Sequence, residues 1–117
     1  MTVKRIVYNF AVDKPAEAVD FYRNLLGLDL AMDHGWIVTM AAPAVAHMPQ
    51  VSFASEGGSG TQVPDLSIEV DDVDTTYSTA RAMGCEIVYP ITDEPWGVRR
   101  FFVRDPMGRT LNILSHL

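Results

Sequence analysis

Residues 96–114 read WGVRRFFVRDPMGRTLNIL, and this stretch decides the fold. Two segments rich in β-branched, aliphatic and aromatic residues flank the sequence Asp105-Pro106-Met107-Gly108, which has the composition of a tight turn. The pattern therefore predicts a strand, a turn and a second strand. This hairpin closes a unit that the chain builds twice.

Each copy of the unit contains an alternating strand, an amphipathic helix that ends at a glycine, and three further strands. The boundaries are a strand from Arg5, a helix from Pro15 to Leu26, Gly27 and strands to Phe53 in the first copy, and a strand from Asp65, a helix from about Asp72 to Met83, Gly84 and strands to Leu114 in the second. We therefore predict an α+β fold of two βαβββ modules, residues 3–55 and 65–117, within one domain spanning residues 1–117. The Gly- and Ser-rich residues 56–64 are predicted to form a linker with much backbone freedom.

Composition excludes several classes of protein. The 117 residues carry a formal charge of −6, the opposite of a nucleic-acid-binding footprint. No apolar stretch approaches the roughly 20 residues that span a bilayer, and the N-terminus lacks the pattern of a signal peptide. We expect a cytoplasmic protein with no nucleic-acid or membrane partner. Cys85 is the single cysteine, which excludes an internal disulfide.

Strand alternation predicts which side chains face the helices. In the strand at residues 65–70, Leu66, Ile68 and Val70 must face a helix, because side chains two apart share a face. By the same reasoning, the opposite face carries Arg5, Val7, Asn9, Ala11, Gln50, Ser52, Asp65, Ser67, Glu69, Thr110, Asn112 and Leu114. This mixed polar and apolar surface suits a ligand cleft. A plainly solvated sheet face is the alternative.

These residues resemble a known family, the vicinal oxygen chelate superfamily of glyoxalases, bleomycin-resistance proteins and extradiol dioxygenases. The resemblance covers nearly the whole chain. It rests on Val12 followed by residues 16–28 (AEAVDFYRNLLGL), on residues 69–74 (EVDDVD), and on the pattern from Trp96-Gly97-x-Arg99-x-Phe101 to Asp105-Pro106-x-Gly108. It implies sheets that curl around a cleft, and a homodimer, because family members usually complete their sites by pairing.

The resemblance also implies where a metal would bind in metal-dependent members. The family's ligand positions fall at Val7, Asp65 and Asn112, with a fourth near Gln50 or Ser52. Valine has no lone pair to offer, and a carboxamide is a poor replacement for a carboxylate around a hard cation. We therefore expect no metal ion and no other cofactor, with a divalent metal as the alternative. His34, His47 and His116 do not fall at family ligand positions and are interpreted as surface residues.

Because most of the family's metal ligands are missing, the residues favour a binding protein similar to the family's bleomycin-resistance branch. Members of that branch sequester a drug without transforming it. We expect a small aromatic or polyhydroxylated ligand, and no catalytic residue is assigned. The predicted cleft residues are Val7, Asn9, Trp36, Ser52, Asp65, Ser67, Trp96, Arg99, Phe101 and Asn112. The alternatives are a metal-dependent lyase, isomerase or dioxygenase, and a dimerisation module without a ligand.

Trp36, Trp96, Arg99 and the segment of residues 41–49 each have a second interpretation. Trp36 and Trp96 are expected to stack on a planar or cationic ligand, and core or dimer packing is the alternative for each. Arg99 is expected to bind a ligand carboxylate or hydroxyl, and an ion pair with a nearby carboxylate is the alternative. Residues 41–49 are interpreted as an irregular loop, with a lid or a subunit contact as the alternative.

Overall fold

The computed structural model describes residues 2–42 and 49–117 and contains eight strands and two helices within these ranges. The elements are β1 (Val3–Ala11), α1 (Glu17–Leu26), β2 (Asp29–Asp33), β3 (Ile37–Ala41), β4 (Gln50–Ala54), β5 (Leu66–Val70), α2 (Val73–Ala82), β6 (Ile87–Asp93), β7 (Val98–Arg104) and β8 (Thr110–His116). The order βαβββ therefore occurs twice, and the predicted α+β fold is confirmed.

The contacts divide the chain into two compact units. The N-terminal unit comprises Val7–Val63, and the C-terminal unit comprises Met1–Ile6 together with Pro64–Leu117. The first residues of β1 thus belong to the C-terminal unit. The change of unit between Val63 and Pro64 falls at the end of the segment that the sequence analysis interpreted as a linker.

In the N-terminal unit the strand order is β2, β3, β4, β1. β1 runs parallel to β4, and the other neighbours are antiparallel. Val38, Met40 and Phe53 form the buried core on the face covered by α1. This arrangement buries alternate residues of β3 and β4 beneath the helix, as a period of two requires.

In the C-terminal unit the strand order is β5, β8, β7, β6. β5 runs parallel to β8, and the other neighbours are antiparallel. The core on the helix-facing side consists of buried residues from α2 and from three strands or their ends: Val70, Val73, Ala80, Phe101, Val103 and Ile113. Ile68 and Leu111 pack against it, which confirms the alternation predicted for β5 and β8.

The helix ends follow from local backbone chemistry. α1 ends at Gly27, which adopts a left-handed conformation with φ of 69° that favours glycine. At the start of α2, the carboxylate of Asp72 accepts a hydrogen bond from the backbone N–H of Thr75 at 3.0 Å. That bond, and a second from the Thr75 hydroxyl at 2.7 Å, lower the pKa of Asp72 below its ordinary value. Asp72 is therefore the helix cap.

The two helices bury fewer of their apolar residues than the sequence predicts. Helical spacing predicts one apolar stripe of Phe21, Tyr22, Leu25 and Leu26 on α1 and another of Val73, Tyr77, Ala80 and Met83 on α2. On α1, Tyr22 packs against the core with Ala18 and Val19, whereas Phe21, Leu25 and Leu26 are exposed. On α2, Val73, Tyr77 and Ala80 pack in the core as predicted, and Met83 is exposed. A ten-residue helix turns only one side to its sheet, and in α1 residues 18, 19 and 22 occupy that side.

Part of the glycine-rich segment after β4 forms a compact turn rather than a freely mobile linker. The N–H of Gly57 donates to the carbonyl oxygen of Thr61 at 2.8 Å, and the N–H of Thr61 donates back to Gly58 at 3.0 Å. Gly57 is buried, and a Cβ at this position would overlap the carbonyl oxygen of Gln62. Glycine is required here by close approach of the backbone, not by freedom of movement.

Two sequence predictions fall mainly on residues 43–48, which lie outside the described ranges: the irregular loop of residues 41–49 and the surface position of His47. Within the described ranges, neither helix has the length and apolar character that crossing a membrane requires.

Candidate functional site

The sheet face turned away from the helix, called here the far face, carries a polar pair in the C-terminal unit. Ser67 of β5 and Asn112 of β8 lie opposite each other in register. The side-chain amide of Asn112 donates to the hydroxyl of Ser67 at 3.0 Å. Strand alternation predicts both residues on this face, and the packing of Ile68 and Leu111 on the helix side confirms it.

The other end of the Asn112 amide is its carbonyl oxygen, Oδ1. Asn112 is buried, and Oδ1 accepts no hydrogen bond from the residues that the structure describes. A buried acceptor without a partner costs about 1–3 kcal/mol of folding free energy. The bond from Nδ2 to Ser67 fixes which end of the amide is the donor, so Oδ1 keeps its capacity to accept a hydrogen bond.

Asp65 lies at the start of the same unit and is engaged by the backbone. Its Oδ2 atom accepts from the N–H of Thr110 at 2.8 Å, while its own N–H donates to the Thr110 carbonyl at 2.8 Å. This reciprocal pair joins the residue just before β5 to the first residue of β8. The carboxylate therefore has a structural role at the sheet end.

A buried ion pair lies on the far face between β6 and β7. The Nε atom of Arg100 donates to Oε2 of Glu94 at 2.7 Å, and both side chains are 3% exposed. The guanidinium carbon lies 4.8 Å from the ring centre of Phe102, 4.9 Å from that of Trp96 and 5.3 Å from that of Tyr89. Three aromatic rings thus surround the guanidinium, and their faces attract it through cation–π interactions.

Two residues predicted for the cleft lie on the helix side instead. Arg99 donates to Asp93 at 2.8 Å and to Asp74 of α2 at 3.0 Å, and these carboxylates raise the pKa of Arg99. Phe101 is fully buried and packs edge-on against Tyr77 of α2, with ring centres 4.9 Å apart. Residues 99 and 101 share a face with the core, so neither side chain lies on the far face.

The far face of the N-terminal unit is lined by buried residues, several of them polar. Asn9 and Ser52 are register partners on β1 and β4, and Ser52 is the partner of Thr39 on β3. The hydroxyls of Thr39 and Ser52 lie 2.7 Å apart and share a hydrogen bond. Val7 is buried on the same side of β1. The predicted positions of Val7, Asn9 and Ser52 opposite the helix are confirmed, since α1 packs on the other face.

The remaining aromatic and imidazole groups lie at strand ends. Trp36 follows the β2–β3 turn, and its ring stacks on that of His34 with centres 6.2 Å apart. His116 places Nδ1 3.0 Å from the carboxylate of Glu69, which also lies 3.1 Å from Arg5. His34 and His116 are both exposed, as expected of surface histidines.

The donor set at the family's metal positions does not fit a divalent ion. Val7 offers no donor atom, Asp65 accepts from the backbone N–H of Thr110, and Asn112 offers only an uncharged carboxamide oxygen, a poor replacement for a carboxylate around a hard cation. Among residues 2–42 and 49–117, no cluster of three or more His, Cys, Asp or Glu side chains could hold a metal. We therefore derive no chemical step through a metal ion.

The sequence-based prediction did not include Thr39, Tyr89, Glu94 and Phe102, which also line these surfaces. Thr39 could have been found from the hairpin register, because it lies directly across from Ser52. Glu94 gave no such signal, since it precedes a turn and reaches Arg100 only through the folded β6–β7 hairpin.

Comparison with known proteins gives one family match. The model of the Glyoxalase/Bleomycin resistance protein/Dioxygenase superfamily matches residues 3–113. No curated protein matches the sequence.

Several solved structures share the fold at low sequence identity. An NAD-dependent benzaldehyde dehydrogenase from Legionella pneumophila aligns with a TM-score of 0.77 and 19% identity, covering 97% of this chain and 100% of that one. Methylmalonyl-CoA epimerase from Mycobacterium tuberculosis aligns at 0.66 and 17%, covering 98% and 87%. A glyoxalase/bleomycin resistance protein/dioxygenase superfamily member from Vibrio splendidus 12B01 aligns at 0.64 and 15%, covering 99% and 100%.

Proposed function

Because this chain belongs to the Glyoxalase/Bleomycin resistance protein/Dioxygenase superfamily, we propose that it binds a small aromatic or polyhydroxylated molecule without a metal ion. One observation carries this proposal. The Oδ1 atom of Asn112 is buried, held in place through the bond to Ser67, and not bonded to any described residue. Such an acceptor is stabilised when a ligand supplies a hydroxyl or N–H donor.

The surroundings of Asn112 support a ligand with a flat, hydroxylated ring. Phe102 lies next to Asn112 in register, and Tyr89 lies next to Phe102 on the following strand. Phe102 is buried and Tyr89 is partly exposed, so a ligand ring packs on Tyr89 while a hydroxyl donates to Asn112.

The metal-dependent alternative is a lyase, isomerase or dioxygenase. The epimerases among the structural neighbours belong to the isomerase class, but at 15–17% identity they share the fold alone. Val7 has no donor atom, and Asn112 offers only an uncharged carboxamide oxygen beside the single carboxylate of Asp65, which argues against a metal cage in this chain. Elemental analysis after incubation with Ni, Zn, Mn and Fe and removal of unbound metal decides between the two. One ion per chain or per dimer would favour the enzyme.

The binding test uses quercetin, a flat polyhydroxylated aromatic compound, with catechol as the smaller member of the class. Intrinsic fluorescence of Trp96 and Trp36 reports binding. The variant Asn112→Leu removes the oriented acceptor with little change of volume, and we expect it to weaken quercetin binding by about tenfold, the value of one hydrogen bond. The matched control is Asn24→Leu on the exposed surface of α1, which should leave binding unchanged.

Two outcomes would contradict the proposal. One is that neither quercetin nor catechol changes the tryptophan fluorescence at concentrations that saturate known flavonoid-binding proteins. The other is equal binding by the wild type and Asn112→Leu. Cytoplasmic location and homodimerisation belong to the same proposal, and sedimentation of the purified protein tests the second.

A further inference from the structure

A groove of about 570 Å³ lies beside α1 in the N-terminal unit. It opens on the helix side of the sheet and is therefore separate from the far face that carries Asn9, Thr39 and Ser52. Its volume lies within the range of about 300–1,000 Å³ that small-molecule sites occupy.

Aromatic rings form the apolar walls of this groove. Tyr22 packs on Phe53 with ring centres 4.8 Å apart, and Phe21 packs on Tyr22 at 5.2 Å. Outside the groove, Phe10 stacks on Phe53 at 5.5 Å with the two planes only 14° apart. Phe21 is 59% exposed, so a large aromatic surface faces solvent at the groove wall. A flat ring placed in the groove would cover that surface.

The charged residues of the groove favour a cation. Asp13 and Glu17 supply two carboxylates, against the single ammonium group of Lys14. The backbone N–H groups of residues 17, 18 and 19, at the start of α1, already donate to the carbonyl oxygens of residues 14, 15 and 16. An anion would therefore find neither a surplus of positive side chains nor vacant backbone donors at this helix end.

We propose that this groove binds a flat, fused-ring aromatic cation. The rings of Phe21 and Tyr22 pack on the apolar faces of the ligand, and the carboxylates of Glu17 and Asp13 balance its positive charge. Aromatic faces also attract a cation through their quadrupoles, so both features of the groove favour the same ligand class. This site is independent of the metal-free site proposed around Asn112.

The test measures the fluorescence polarisation of two flat dyes, the cation proflavine and the anion fluorescein, with the purified full-length protein. Proflavine should bind and fluorescein should not. Glu17→Gln should weaken proflavine binding by about threefold, because it removes one charge contact that solvent partly screens. Its matched control is Asp20→Asn, which removes the same charge from a 91% exposed side chain on α1 outside the groove. That variant should bind as the wild type does.

A second pair of variants tests the aromatic wall. Phe21→Ala should weaken proflavine binding by about tenfold, because it removes one stacking face. Leu25→Ala removes an apolar side chain of α1 that is 64% exposed and lies outside the groove, and it should have no effect. Both positions are exposed, so both variants should fold.

Three results would overturn the proposal. The first is proflavine binding that is absent or unchanged in Glu17→Gln and Phe21→Ala. The second is equal binding of fluorescein. The third is a dimer in sedimentation that Phe21→Ala dissociates, which would assign the groove to a second copy of the chain. Because quercetin binding at Asn112 is measured with other variants, the two sites can fail separately.

Discussion

Arg100 and Glu94 form an ion pair in which two guanidinium nitrogens contact one carboxylate oxygen. Nε lies 2.7 Å and Nη2 lies 2.6 Å from Oε2 of Glu94, and each side chain is only 3% exposed. Desolvation of two charges opposes folding, and their mutual attraction offsets that penalty only while both are present. The rings of Tyr89, Trp96 and Phe102 surround the guanidinium and replace water around it, so its charge is balanced by Glu94 and not by solvent.

Replacing Arg100 alone should destabilise the protein strongly. Arg100→Met leaves the buried carboxylate of Glu94 without its partner, and we expect a loss of about 3–5 kcal/mol in the free energy of unfolding. Urea denaturation of both proteins measures this loss. The double variant Arg100→Met/Glu94→Leu should recover much of it, because neither charge is then buried. A double variant no more stable than the single one would contradict this explanation.

Phe101 should behave as a core residue rather than as part of a binding surface. Phe101→Ala creates a cavity next to Tyr77, so we expect a loss of about 3–5 kcal/mol in the free energy of unfolding. Phe21→Ala, the same change at an exposed position, should alter stability by no more than about 0.5 kcal/mol. Urea midpoints compare the two. Similar losses in both variants would show that burial of Phe101 is not the cause.

The cap at Asp72 predicts a pH dependence of stability. The hydrogen bonds from Thr75 lower the pKa of Asp72 in the folded protein below its ordinary value of 3.8. At acidic pH the unfolded chain therefore binds more protons than the folded one. The contribution of the cap is fully present above the unfolded pKa and is lost as the pH falls through the folded pKa.

Asp72→Asn tests this dependence, because an amide oxygen can cap the helix without titrating. The wild type should be more stable than Asp72→Asn near neutral pH, by a few degrees in Tm. That difference should shrink as the pH falls from about 7 to about 2. Thermal unfolding followed by circular dichroism measures both proteins. A difference that stays constant over this range would contradict the role of the ionised carboxylate.

Gly57 should tolerate no larger residue. In Gly57→Ala the new Cβ would overlap the carbonyl oxygen of Gln62 and the hydroxyl of Thr61, so the turn must shift. Overpacking of this kind costs about 1–3 kcal/mol. Urea denaturation should show the loss, and an unchanged midpoint would mean that the turn adapts freely.

The sequence could not predict which of the neighbouring arginines, Arg99 or Arg100, faces the helix. In residues 98–104, VRRFFVR, apolar residues occur on both faces of the strand, so alternation does not say which arginine faces the helix. The family pattern favoured Arg99 for the ligand. In the structure Asp74 of α2 binds Arg99, which leaves Arg100 on the far face with Glu94.

By itself, the sequence determined the two βαβββ modules and the polar far faces with Asn9, Ser52, Ser67 and Asn112. Periodicity, glycine stops and turn residues are local signals, and a strand with one aliphatic face has a single way to meet its helix. Only the tertiary structure decided which polar groups are satisfied. The environment of Asn112 Oδ1, the face of the sheet that Arg100 occupies and the exposure of Phe21 depend on how separate strands and helices pack together, and no local pattern encodes that packing.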